Sequence, residues 1–227
     1  MVNILCNTPS IAEKWCFDEY KKYIRPDAKV TIIPFSFKDI GCLSPDEFWA
    51  KYYDNVTGKY YGDYVLPLLK YGVEEENIYW INYFEDTVRS AKEKMRSSDI
   101  LYFTGGLPDK MYDRLIEFDL IETVKEHKGV MIGCSAGAMV QLSEYHITPD
   151  DDYAEFSYYR GIGLLDGFDI EVHFEEAEEQ IECADKALEE KNKPIYLMYN
   201  NGALIVDNGS VHTVGQVKVL GADMREG

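Results

Sequence analysis

Nothing in the 227 residues approaches the roughly 18 consecutive apolar positions that a membrane-spanning helix requires. Paired cysteines are missing too. The five that occur (Cys6, Cys16, Cys42, Cys134 and Cys183) are odd in number, scattered, and form no Cys-x-x-Cys pair. That argues against a disulfide framework or a thiolate zinc site and fits reduced thiols. Positive charge is scarce: 23 Lys and Arg stand against 41 Asp and Glu, a formal charge of −18. Such a surface repels phosphate backbones and anionic lipids, so nucleic acid and membrane surfaces are poor partners. The first residues, Met1-Val2-Asn3-Ile4-Leu5-Cys6, show neither the basic start nor the long apolar stretch of a secretory signal, and a cytoplasmic protein is expected.

What remains is a chain with 46% hydrophobic residues, long enough to bury about 70% of its unfolded surface. Apolar runs of strand length (Asn3–Cys6, Lys29–Phe35, Ile78–Ile81, Ile100–Phe103, Val130–Cys134) alternate with stretches of helical period. Helices are expected from Pro9 to about Ile24, after the capping box Ser44-Pro45-Asp46-Glu47, over Tyr64–Tyr71 and over Thr87–Arg96. Further helical segments run up to Lys128. Strands Asp169–Phe174 and Ile195–Tyr199 follow, and Ala203–Val206 with Val211–Val214 reads as a terminal hairpin around Asp207-Asn208-Gly209-Ser210. The pattern predicts one α/β domain over residues 1–227: a three-layer sandwich with a mostly parallel central sheet and a C-terminal β-hairpin.

In such sheets ligands sit at the carboxyl ends of the strands. One strand ends in Val130-Met131-Ile132-Gly133-Cys134-Ser135-Ala136-Gly137-Ala138. Gly133-x-Ser135-x-Gly137 is the pattern of a nucleophile elbow, a strand-to-helix turn whose central residue is strained and whose second neighbours must be small. Centred on Ser135 the flanks are glycines, whereas centred on Cys134 they are Ile132 and Ala136, so Ser135 is the candidate nucleophile. The backbone N–H of Ala136 opens the following helix, and Thr104-Gly105-Gly106 closes a neighbouring strand. Together they could supply an oxyanion hole.

A serine needs a base, and the chain has four histidines. His127 precedes the nucleophile strand and lies about 16 Å from Ser135 at the wrong edge of the sheet, where a helix-capping role is expected. His212 falls in the terminal hairpin. His146, after the elbow helix, remains open. His173, at the carboxyl end of a strand, is the best candidate. For the orienting carboxylate, the stretch Asp150-Asp151-Asp152 competes with Glu171, Glu175 and Glu176.

These motifs resemble the peptidase E family of serine peptidases, the dipeptidase E and cyanophycinase relatives with a class I glutamine-amidotransferase-like fold. The resemblance rests on Phe103-Thr104-Gly105-Gly106, on Gly133-Cys134-Ser135-Ala136-Gly137-Ala138, and on Gly161-Ile162-Gly163-Leu164-Leu165-Asp166-Gly167-Phe168 leading to His173-Phe174. It implies Ser135 as nucleophile, His173 as general base, Asp150 as the orienting acid, and an oxyanion hole from the N–H groups of Gly105 or Gly106 and of Ala136. It implies no metal or cofactor, a small peptide as substrate, and hydrolysis through an acyl-enzyme. A monomer or small homo-oligomer is expected.

The chain departs from the aspartyl dipeptidases after the histidine. There the family carries an arginine for an acidic substrate side chain, and this sequence reads Glu175-Glu176-Ala177-Glu178-Glu179-Gln180. Like charges there would disfavour an acidic side chain by roughly 1 kcal/mol or more per close pair. Arg160 is the nearest substitute cation for substrate binding.

Overall fold

The computed structural model describes residues 1–54 and 56–221. In chain order the elements are strand β1 (Val2–Cys6), helix α1 (Phe17–Tyr20), β2 (Val30–Ile33), α2 (Pro45–Tyr52), α3 (Tyr61–Tyr64), α4 (Leu66–Lys70), β3 (Ile78–Trp80), α5 (Val88–Arg96) and β4 (Ile100–Phe103). There follow α6 (Pro108–Glu117), α7 (Ile121–Glu126), β5 (Val130–Cys134), α8 (Ala136–Met139), β6 (Glu144–Ile147), β7 (Ser157–Arg160), β8 (Asp169–Glu171), α9 (Glu178–Lys191), β9 (Ile195–Asp207) and β10 (Ser210–Leu220).

The main sheet runs β10-β9-β1-β5-β4-β2-β3, with β8 on β9. Strands β1, β5, β4, β2 and β3 are mutually parallel, while β9 is antiparallel to β1 and to β10. The apolar runs are continuous because both faces are covered. Along β4, Ile100 and Tyr102 pack with Tyr20, Phe48, Tyr64 and Leu68 on one face. Leu101 and Phe103 point the other way, into a core with Met95, Met111, Leu115 and Val124. A third core, around Leu5, Tyr145, Ile170 and Leu204, lies beneath the small β6-β7 sheet. Among the described residues no helix is long and apolar enough to cross a membrane.

The capping box at Ser44 forms as expected: its hydroxyl accepts from the Glu47 N–H, and the Glu47 side chain accepts from the Ser44 N–H. The hairpin turn also forms, with Asn208 and Gly209 both at positive φ (48° and 83°).

Several elements differ from expectation, β6, β7 and α9 being additions to it. The Pro9-to-Ile24 helix is confined to α1, because the preceding residues make successive three-residue turns, Glu13 N–H to Ser10 O and Cys16 N–H to Glu13 O, with the Cys16 thiol turned onto Ile11 O. The two strands expected on either side of Asn200-Asn201-Gly202 are one continuous β9, whose first part pairs with β8 and whose last part pairs with β1. Its partner β10 bulges between Gly215 and Val217. Strand β8 stops at Glu171 instead of reaching Phe174.

Candidate active site

Between the end of β5 and the start of α8, Ser135 adopts φ 48°, ψ −111°. A residue with a Cβ occupies such a conformation only when its surroundings impose it. Here the Ser135 N–H donates to Cys6 O at 2.8 Å, and its carbonyl accepts from the N–H groups of Ala138 (2.8 Å) and Met139 (3.0 Å). The glycine flanks are a steric requirement of the turn. A Cβ on Gly133 would lie 2.1 Å from Gly137 O, and one on Gly137 would lie 2.3 Å from Phe103 O. Cys134 faces the opposite way, 1% exposed, with its sulfur 3.3 Å from that of Cys6 and 3.2 Å from the Tyr102 hydroxyl. Its neighbour Ser135 is half-buried and lines an open cavity of about 370 Å³.

His173 lines the same cavity. Beyond β8 the chain breaks from extended geometry, and His173 takes φ 52°. Its Nδ1 lies 2.9 Å from Asn200 Oδ1. An amide oxygen can only accept, so Nδ1 is the donor in this contact and Nε2 is the nitrogen turned away from Asn200. Gln180 braces this segment: its Nε2 donates to His173 O (3.0 Å) and to Glu171 Oε1 (3.2 Å), and its Oε1 accepts from the Glu175 N–H (2.9 Å). Ser135 and His173 make no direct hydrogen bond among the described residues. Contacts of this kind commonly tighten only around a substrate.

Of the main-chain donors, the Gly105 N–H is already used: it donates to the Tyr64 hydroxyl at 2.9 Å. Of the two glycines expected to serve the oxyanion hole, Gly106 is therefore the one whose N–H is left for a substrate. The N–H groups of Gly106 and Ala136 have no acceptor among the described residues, and Gly106 (φ 136°) borders the cavity. A side chain at Gly106 would collide with Ser36 O at 2.4 Å.

The other histidines are engaged elsewhere. His127 ends α7 and places Nε2 3.3 Å from Asp99 O. His212 is exposed on β10, as the hairpin reading requires. His146, on β6, is fully buried, with Nδ1 2.7 Å from Asp169 Oδ2 and Nε2 2.8 Å from Glu171 Oε2. Burial opposes its charge, but the bonds to the two carboxylates prevail and push its pKa up to about 10. It is therefore a cation at neutral pH, unable to accept a proton. Thr148 adds a further donor to Glu171 Oε2 at 2.9 Å.

Two other residues expected at the site are engaged or placed differently. Asp150 borders the cavity, but its Oδ1 accepts from the N–H groups of Asp152 (2.8 Å) and Tyr153 (2.9 Å), closing its own loop and leaving His173 to Asn200. Arg160 is exposed on β7 opposite Glu144, away from the cavity lining. The lining instead carries Asp150, Glu171, Glu175 and Glu179. Asn200 escaped the sequence reading because Asn200-Asn201-Gly202 resembles a turn. The signal available was a polar break inside an otherwise apolar strand.

The family model of peptidase family S51 matches residues 59–214. The chain belongs to peptidase family S51. Two solved structures share the fold of this S51 chain. One is a candidate peptidase E protein from Listeria monocytogenes EGD-e, 20% identical, with 95% of this chain and 98% of that chain covered and a TM-score of 0.66. The other is a peptidase from an acI-B1 actinobacterium, also 20% identical, covering 96% and 88% with a TM-score of 0.64. They share the mostly parallel α/β sandwich; the hairpin of β9 and β10 lies at its edge. No curated protein matches the chain by sequence.

Proposed function

We propose that this S51 member is a serine hydrolase that cleaves small peptides or isopeptide-like amides through an acyl-enzyme at Ser135. The observation that carries the reading is the strained Ser135 backbone at a helix start, opening onto a cavity shared with a histidine whose Nδ1 is held by Asn200. Ser135 Oγ attacks the scissile carbonyl while His173 Nε2 takes its proton, and the N–H groups of Gly106 and Ala136 receive the oxygen that turns negative. The imidazolium then returns the proton to the departing amine, which leaves as the C–N bond breaks. Water, deprotonated by His173, attacks the ester and releases the acid. Asn200 fixes ring tautomer and direction in place of a carboxylate, as an asparagine does in cysteine–histidine–asparagine sites.

The acidic cavity wall disfavours an acidic side chain on the substrate. Incubation with a mixture of neutral and acidic dipeptides, read by mass spectrometry, tests the proposal. Release of free amino acids by wild type and none by Ser135→Ala is expected. Equal release by both proteins would overturn it.

A further inference from the structure

Strands β2 and β4 are parallel neighbours, with Ile33 opposite Phe103, so the segments just beyond them meet at the carboxyl edge of the sheet. Ser36 and the Gly105-Gly106 pair lie there. The glycines run between two serines: a Cβ on Gly105 would sit 3.6 Å from Ser135 Cβ, and one on Gly106 would meet Ser36 O at 2.4 Å. Ser36 is 2% exposed and is bonded on both sides of the pair. Its hydroxyl donates to Gly105 O, and its carbonyl accepts from the Leu107 N–H at 2.8 Å. A carbonyl oxygen can only accept, so the one Ser36 hydroxyl proton is taken by Gly105 O. The 2.9 Å contact between the Ser36 and Thr104 hydroxyls is therefore donated by Thr104.

The bond to Gly105 O decides what Gly106 presents. In a trans peptide the C=O and N–H of one plane point in opposite directions, and no peptide among the described residues is cis. Anchoring Gly105 O at Ser36 therefore turns the Gly106 N–H away from Ser36. A peptide between two glycines is otherwise among the freest to rotate, since neither neighbour carries a Cβ. A half-turn would place a carbonyl oxygen where the substrate's own oxygen becomes negative, the reverse of what an oxyanion hole needs. The buried Tyr64 hydroxyl, accepting from the Gly105 N–H at 2.9 Å, pins the other end of the same residue.

Ser36 is itself held. Arg114, on α6, donates from Nη1 to the carbonyls of both Phe35 and Phe37, with its guanidinium carbon 3.6 Å from the centre of the Phe37 ring. We propose that Ser36 is a positioning residue of the oxyanion hole, its hydroxyl fixing the direction in which the Gly106 N–H meets the reacting oxygen. It acts through Gly106 and not on the substrate. The assignment rests on the Ser135 reading above. It predicts a loss confined to the step in which negative charge develops, because ground-state binding does not depend on that N–H to the same degree.

The test is made on the full-length protein with a small fluorophosphonate, whose phosphoryl oxygen enters the same hole, and with a cleaved dipeptide. By intact mass, Ser36→Ala should label at Ser135 at least about tenfold more slowly than wild type. Its kcat on the dipeptide should fall roughly 10- to 100-fold, less than the loss of about 10²–10³ for removing a donor outright, with KM within about twofold. A general loosening of the site would raise KM as kcat falls. If circular dichroism shows Ser36→Ala unfolded, Thr104→Val takes its place, keeping the shape while removing the hydroxyl bonded to Ser36, with labelling slowed at least about threefold. A folded variant labelled at the wild-type rate, or KM rising in step with the loss in kcat, would overturn the positioning role and leave the serine mechanism standing. Wild type that takes no adduct would refute the mechanism, and this role with it.

Discussion

The side-chain oxygen of Asn200 lies 2.9 Å from Nδ1 of His173, joining the middle of β9 to the segment just beyond β8. A neutral amide orients the imidazole without giving it the full charge stabilisation of a carboxylate. Asn200→Ala is therefore expected to lower kcat by roughly 10- to 100-fold with little change in KM, below the loss expected for removing the base itself. Steady-state kinetics on a cleaved dipeptide check this, and an unchanged kcat would show that Asn200 does not hold the ring.

Asp150 gives the opposite expectation. Its carboxylate closes the Asp150–Tyr153 loop on the cavity rim, so Asp150→Ala should change KM more than kcat. A kcat loss of the order of 10³-fold or more, the scale of removing a triad member, would return the orienting role to it.

His146 predicts a pH dependence of stability. Its folded pKa of about 10 lies above the ordinary 6.5, so the folded state binds the proton more tightly than the unfolded state. That contribution is complete below pH 6.5 and is lost as the pH rises through about 10. Urea unfolding of wild type should show stability falling across this window. His146→Gln should be less stable at pH 7, because Asp169 and Glu171 remain buried without their cation, and its decline should be flatter. A wild-type curve that rises over the same window would contradict the assignment.

Two glycines of the elbow test its packing. Gly133→Ala and Gly137→Ala should each cost about 1–3 kcal/mol of stability, since the added methyl meets backbone at 2.1 and 2.3 Å. Gly62→Ala, in α3 with nothing within 4 Å, should instead be neutral or stabilising by up to about 1 kcal/mol. Chemical denaturation separates the two classes.

The thiols should behave unlike a catalytic cysteine. Cys134 is buried, and the Cys6 thiol is pushed up by its bond to Cys134 and by burial. Iodoacetamide should modify exposed Cys42 first in the native protein. Peptide mapping that finds Cys134 labelled first would reopen the choice of nucleophile.

Where local chemistry dictates conformation, the sequence was readable. The Val130–Cys134 strand, the elbow glycines and the Ser44 cap rest on short-range rules that the fold obeys. Tertiary contacts hid the rest. Strands β6 and β7 carry polar and charged residues and exist because they pair with each other over the core around Tyr145. Asn200 reaches His173 only because β9 runs on through a turn-like triplet, a consequence of its simultaneous pairing with β8, β1 and β10. The Gly105 N–H is engaged by a phenol 41 positions away in the chain, a contact that no motif encodes.

The central claim is an activated Ser135, and intact-mass labelling with a small fluorophosphonate addresses it most directly. The account predicts a single adduct on wild type and on Cys134→Ala, absent from Ser135→Ala and strongly reduced in His173→Ala. Folded wild-type protein that takes no adduct, or an adduct that survives Ser135→Ala, would contradict it.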